Sequence, residues 1–189
     1  MNALFSISSP LQSLFWPKEN SSLKQALLLL MGVLILALSA QLSIPLKPVP
    51  LTFQTTTVIL IGMTYGARLG TLTIAAYLLA GLIGFPVYQG FSYGLSSFFG
   101  ATCGYLIGFL PAAFLSGFLA QNGWAKNRIK SFAAACLGSG VIFSFGLLVL
   151  AQLIGCKAAI AVGLLPFIIS EPIKLLAISM IIPLAWKKS

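Results

Sequence analysis

Two carboxylates are all the acidic chemistry this sequence holds: Glu19 and Glu171, far apart, with no aspartate and no histidine in 189 residues. Paired-carboxylate acid–base catalysis, a Ser-His-Asp triad and imidazole metal sites need clusters that these residues cannot form. The three cysteines, Cys103, Cys136 and Cys156, match no zinc or redox spacing and are expected to be small buried thiols. No Gly-Lys dipeptide occurs, so no Walker A loop can be drawn, and any use of ATP falls to a partner. The chain is not expected to be an enzyme or to hold a metal or cofactor.

Binding chemistry remains. Glu171-Pro172-Ile173-Lys174 contains the only two charges well inside the last apolar run. A charge at bilayer depth costs about 3 kcal/mol on insertion scales, so such residues are functional candidates. Their i, i+3 spacing puts both side chains on one helix face, where they can pair. Glu171 directly precedes Pro172, which suits the first position of a helix and sets the carboxylate at its positive end. A structural ion pair that caps a broken helix would fit this pattern. The reading favoured is a pair lining a polar cavity, with Glu171 accepting from ligand N–H groups and Lys174 donating to a ligand oxygen or neutralising a carboxylate. Gln54 lies beside Thr52, Thr55, Thr56 and Thr57, and Tyr88, Gln89 and Tyr93 fall in the stretch 86–99. Each alone suits a membrane interface. Together they suit the rim of a pocket to which Phe53, Phe91 and Tyr93 add apolar wall. Tyr77 and Tyr105 are expected inside the bundle, and Arg68 is expected to anchor topology.

The elements that position these residues must lie in lipid. Apolar types make up 59% of the chain and charged types 7%, with mean hydropathy +1.03. A soluble domain carries about 25% charge. This is the composition of a multi-pass, all-α integral membrane protein, with the lipid bilayer as its solvent. Residues 1–22, with Leu11, Leu14, Phe15 and Trp16 ahead of Lys18, suit an interfacial segment. A cleaved signal peptide is not expected, because the apolar run from Leu23 is too long for one. Residues 23–189 then form one transmembrane domain, a compact bundle of six helices. The expected spans are 23–44, 51–67, 69–85, 100–120 and 131–154, with a last apolar run to Ala185 whose regular helix starts near Glu171. Prolines fill the first connection at Pro45, Pro48 and Pro50. With six spans, Lys18, Lys24, Arg68, Lys126, Arg128, Lys130, Lys187 and Lys188 share one side, and only Lys47 and Lys157 face the other. The positive-inside rule then places both termini in the cytoplasm. Net charge +9 therefore reports lipid topology and not nucleic-acid binding. Small residues recur every fourth position at Gly100, Gly104, Gly108, Ala112, Ser116 and Ala120, and at Ala76, Ala80 and Gly84, which lets helix backbones approach closely.

Four ordered motifs resemble those of the BioY family, the biotin-specific substrate-binding (S) components of energy-coupling-factor (ECF) transporters. Val49 to Thr55 is similar to that family's VPxTxQT opening, and Tyr77 to Tyr88 to its YxxxGxxGxPVF stretch. Gly100 with Gly104 to Phe109 resembles GPxGGYLxGF, and Pro166-Phe167 with Glu171 and Lys174 resembles PFxPGDxxK. The likeness runs from residue 49 to 174. It implies biotin capture from the outer side of a bacterial-type plasma (inner) membrane. It also implies a transmembrane coupling protein and two ATPase subunits as partners, with ATP used only by them. The family's last signature contacts biotin through its Asp and Lys, and the resemblance carries those roles to Glu171 and Lys174. The chain departs from the family in having Glu for that Asp and Ile169-Ser170 for the preceding Pro-Gly. Its first helix offers Gly32, Ala37 and Ala40 but no A-x-x-x-A dock for the coupling protein. An S component for another vitamin and a solo ion-coupled carrier with Glu171 as its proton site are the alternatives.

Overall fold

The computed structural model describes residues 22–187, so the interfacial segment expected before them lies outside the described residues, as does Lys188. Helix α1 (Ser22–Gln41) is an unbroken leucine-rich run without proline, about 30 Å long at 1.5 Å per residue. It gives way to two short antiparallel strands, β1 (Ser43–Ile44) and β2 (Leu51–Thr52), with Ser43 opposite Thr52 and Ile44 opposite Leu51. Pro45, Pro48 and Pro50 lie between or beside them and keep helix from forming.

The next element, α2 (Gln54–Leu82), contains one non-helical residue, Gly66, at φ 81° and ψ 171°. Only glycine enters that region without steric cost. There the chain folds back on itself. A Cβ added to Gly70 would sit 3.0 Å from the Gly62 Cα, although residues eight apart in a straight helix are about 12 Å apart. Gln54 at the start of the element hydrogen-bonds Tyr77 near its end. The two arms therefore run side by side and antiparallel.

Beyond α2, a 3-10 turn (Gln89–Phe91) and the short α3 (Gly94–Phe98) occupy the stretch between the expected spans 69–85 and 100–120. Then come α4 (Cys103–Gln121), a 3-10 turn (Trp124–Lys126), α5 (Arg128–Ile154), α6 (Cys156–Gly163) and α7 (Phe167–Lys187). Asn127 caps α5, accepting from the backbone N–H of Ile129 at 2.8 Å and of Lys130 at 3.3 Å.

The all-α membrane bundle stands, but the expected count of six spans does not. Among the described residues there are seven α-helices, of which five are long and apolar enough to cross a membrane. The expected spans 51–67 and 69–85 are one element. The two expected spans leave Arg68 between them, yet the reversal is made by the backbone of Gly66 alone and no loop intervenes. Counting helices no longer sets the side of either terminus, because α2 is one helix by count yet turns back on itself at Gly66. Two further boundaries differ. The last apolar run, expected to follow the span 131–154 directly, begins with a separate short helix, α6. Helix α7 begins at Phe167 and not near Glu171, because Pro172 is accommodated inside it. Glu171 therefore lies about one turn inside the helix and not at its end. Of the cysteines, only Cys103 is buried, while Cys136 and Cys156 are exposed on outer helix faces.

Helix α4 sits at the centre, as its small-residue stripe requires. A Cβ on Gly104 would strike the Phe145 carbonyl, and one on Gly108 would lie 3.1 Å from the Ile142 Cα, so α5 packs backbone to backbone there. On the other side, Ser116 and Ala113 meet Gly62 of α2. The buried apolar residues form two clusters. One gathers Tyr77, Tyr88, Tyr105, Phe109, Phe143 and Phe167. The second joins Ile59, Met63, Ala134, Ile178, Ile182 and Trp186. There the Trp186 indole donates to the Met63 carbonyl at 3.2 Å and ties α7 to α2.

Candidate ligand-binding site

The loops after α1 and α2 gather at one end of the bundle around a cavity of about 270 Å³. Its apolar wall is Tyr105, Leu106 and Phe109 from α4, Ile142 and Phe143 from α5, and Phe167 from the start of α7. Tyr105 and Phe109 are four apart and share a face of α4. The Phe143 ring stands edge-on to Tyr105 at 5.9 Å and to Phe167 at 5.2 Å. The Tyr105 hydroxyl donates to the Gly163 carbonyl at 2.9 Å, which fixes its ring. The polar wall comes from Thr52, Gln54 and Thr55 on one side and from Tyr88, Gln89, Ser92, Ser96 and Ser97 on the other. A mostly apolar hollow with a few convergent polar groups is the usual form of a small-molecule site.

A hydrogen-bond network holds the polar wall. The Gln54 amide donates to the Tyr77 hydroxyl at 2.8 Å, and that hydroxyl donates to the Val87 carbonyl at 3.0 Å. Tyr88 donates to the Leu78 carbonyl at 2.7 Å, and its ring packs over Gly81, where any Cβ would collide with it. Tyr77 and Tyr88 meet edge to face at 5.7 Å. Burial pushes the Tyr88 phenol above its ordinary value. Gln89 donates to the Ser43 hydroxyl at 3.2 Å.

The acid–base pair lies beside this wall and not in it. Glu171 is buried, 5% exposed, and pairs with Lys174. Its second oxygen, Oε2, has no hydrogen-bond partner among the described residues. Lys174 also donates to the Thr52 carbonyl at 3.0 Å and lies 5.4 Å from the centre of the Phe53 ring. The pair is thus joined to the cavity through Thr52, and Phe167, one turn before Glu171 on α7, is in the wall itself. Of the residues singled out in the sequence, Gln54, Tyr88 and Gln89 line the cavity, while Glu171, Lys174 and Phe53 cluster behind β2. Tyr93 is 58% exposed and lies outside the lining. Tyr105, Phe109 and Phe143 were missed as wall residues. The i, i+4 aromatic pair on α4 was the one available signal, and it looks the same as bundle packing.

A membrane-embedded helical bundle with a part-polar cavity under its loops has the form of a substrate-binding membrane protein. The sequence profile of the BioY family matches residues 13–189. The chain is 32% identical over 179 residues to the "Probable biotin transporter BioY" of Rickettsia prowazekii, covering 95% of this chain and 92% of that one. It is 37% identical over 148 residues to the "Biotin transporter BioY" of Thermotoga maritima, covering 78% and 86%. The crystal structure at 2.1 Å of the S-component for biotin from an ECF-type ABC transporter superposes with TM-score 0.79 at 26% identity, covering 88% of this chain and 93% of that chain. The chain therefore belongs to the BioY family. It is a multi-pass protein of the bacterial-type inner membrane.

Proposed function

We propose that this chain is the biotin-binding S component of an ECF-type transporter, a transport protein and not an enzyme. The observation that carries the reading is the cavity at the loop end of the bundle, walled by Gln54, Tyr88 and Gln89 against Tyr105, Phe143 and Phe167, in a chain of this family. Biotin has an apolar bicycle and tail, two ureido N–H donors with a carbonyl between them, and a terminal carboxylate. The aromatic wall suits the bicycle. Gln54 and Gln89 each bring an amide donor and acceptor, and Tyr88 brings a hydroxyl. Glu171, which lies beside the lining, is assigned as acceptor for ureido N–H groups once it turns toward the cavity, using the oxygen that lacks a partner. Lys174 is assigned as donor to a ligand oxygen or counter-charge to the carboxylate, which it reaches by leaving the Thr52 carbonyl. Phe53 and Tyr93 lie outside the lining and are assigned to meet the ligand only on its way in.

Membership of the family brings ECF partner subunits with it. In this reading they are one transmembrane coupling protein and two ATPases, which hydrolyse the ATP that this chain has no Walker A loop to hold. The test is equilibrium binding of biotin and desthiobiotin to purified protein, with thiamine, riboflavin and pantothenate as competitors. Saturable biotin binding at or below the micromolar range, undisturbed by the other vitamins, is expected. No saturable binding, or displacement by another vitamin, refutes the assignment.

A further inference from the structure

None of the α1 residues lines the cavity, yet the end of α1 grips the turn that does. Gln41, the last residue of α1, donates from Nε2 to the Tyr88 carbonyl at 3.0 Å and to the Ala37 carbonyl at 3.3 Å, while its Oε1 accepts from the Phe91 N–H at 3.1 Å. One amide thus answers both a carbonyl and an N–H of the segment 88–91. Two residues on, Ser43 accepts from the Gln89 side chain. The segment needs such a hold. Phe91 takes φ 57°, the one positive φ at a non-glycine position among the described residues, a conformation that persists only where surrounding contacts over-determine it. Within the turn, Ser92 accepts from the Tyr88 N–H at 3.1 Å through its carbonyl and donates through its hydroxyl to the Gln89 carbonyl at 2.9 Å. Tyr88, Gln89 and Ser92 are all in the cavity wall.

We infer that Gln41 is a positioning residue for ligand retention, because its amide clamps the 88–91 turn and so fixes where Tyr88 and Gln89 meet the ligand. This deepens the assignment of the cavity as a biotin site and rests on it. Gln41 touches the turn's backbone and not the pocket, so its loss should act on how long ligand stays and on the local order of the turn. The stability of the bundle should be untouched.

The experiment uses the full chain in lipid nanodiscs, unmodified and with Gln41→Leu, Gln41→Glu or Ser43→Ala. It reads biotin dissociation rate and Kd, and amide exchange across residues 88–92 and α4 without ligand. Gln41→Leu removes the hydrogen bonds to Tyr88 and Phe91 and should speed biotin release about tenfold or more. It should also hasten exchange at Phe91 and leave α4 exchange unchanged. Gln41→Glu keeps the acceptor for Phe91 but sets a carboxylate oxygen against the Tyr88 and Ala37 carbonyls, so it should release biotin at least as fast as Gln41→Leu. Ser43→Ala frees only the Gln89 side chain and should have the smallest effect. If Gln41→Leu matches the unmodified chain in release rate and in Phe91 exchange, the inference is wrong and the cavity assignment stands. If α4 exchange rises as much as that of the turn, Gln41 merely supports the fold and the inference is again wrong. If the unmodified chain binds no biotin, the cavity assignment falls and takes this inference with it.

Discussion

Lys174 and Glu171 form a buried pair in which each charge compensates the other. Removing one partner of such a pair leaves the other charge buried and uncompensated, at a cost of about 3–5 kcal/mol, whereas replacing both by apolar residues of similar volume is often nearly neutral. Lys174→Met should therefore lower the thermal unfolding midpoint markedly, and Glu171→Leu with Lys174→Met should restore most of it. If the pair also serves the ligand, the double variant will be stable yet will not retain biotin. Full biotin affinity in the double variant would reduce the pair to a structural device. At Gln54 the expectation differs, because its amide bond to Tyr77 is one link in a network running on to Val87. Gln54→Leu should weaken biotin binding by about tenfold, as a lost hydrogen bond implies, measured by titration, while the fold persists. The chemistry of these residues was legible in the sequence, since ionisable or amide groups in an apolar chain stand out. Their division between wall and flank was not, because it depends on where Thr52 places its carbonyl.

Helix α2 shows what periodicity and charge leave undecided at the scale of an element. Its two arms were visible as apolar runs, but Arg68 marked the wrong kind of boundary. The reversal uses a glycine φ of 81°, and a Cβ at Gly66 would also lie 2.7 Å from the Gln121 amide. Gly66→Ala should destabilise the protein by about 1–3 kcal/mol through backbone strain, read as a lower unfolding midpoint, with wild-type stability as the contrary result. Helix α4 was read more securely. Its four-residue stripe predicted close packing, and Gly104 and Gly108 do lie against the α5 backbone. Gly108→Leu should force α4 from α5 and cost about 1–3 kcal/mol or more, with biotin binding lost as Tyr105 and Phe143 separate. Retained binding would mean that the bundle can repack around the larger side chain. The start of α7 was misplaced because Pro172 suits a first turn. The structure accommodates it deeper, where a proline forgoes one backbone hydrogen bond.

Over the whole molecule, membership of the family implies ECF partner subunits, and the proposed reading gives them the ATP hydrolysis for which this chain has no Walker A loop. Vesicles holding the chain alone should show no ATP-driven biotin uptake, and reconstitution with a coupling protein and ATPases should supply it. ATP-driven uptake by the chain alone would refute that division. The sequence by itself determined the membrane class, the exclusion of most enzyme chemistry and the family, through motifs in fixed order. Those properties follow from composition and local spacing, which a linear chain displays directly. Only the tertiary structure decided that α2 is one folded-back element, that aromatic side chains of α4, α5 and α7 converge on one hollow, and that Gln41 reaches the turn 50 residues away. The backbone conformation of one glycine and contacts between distant segments set those features, and neither leaves a periodic trace in the chain.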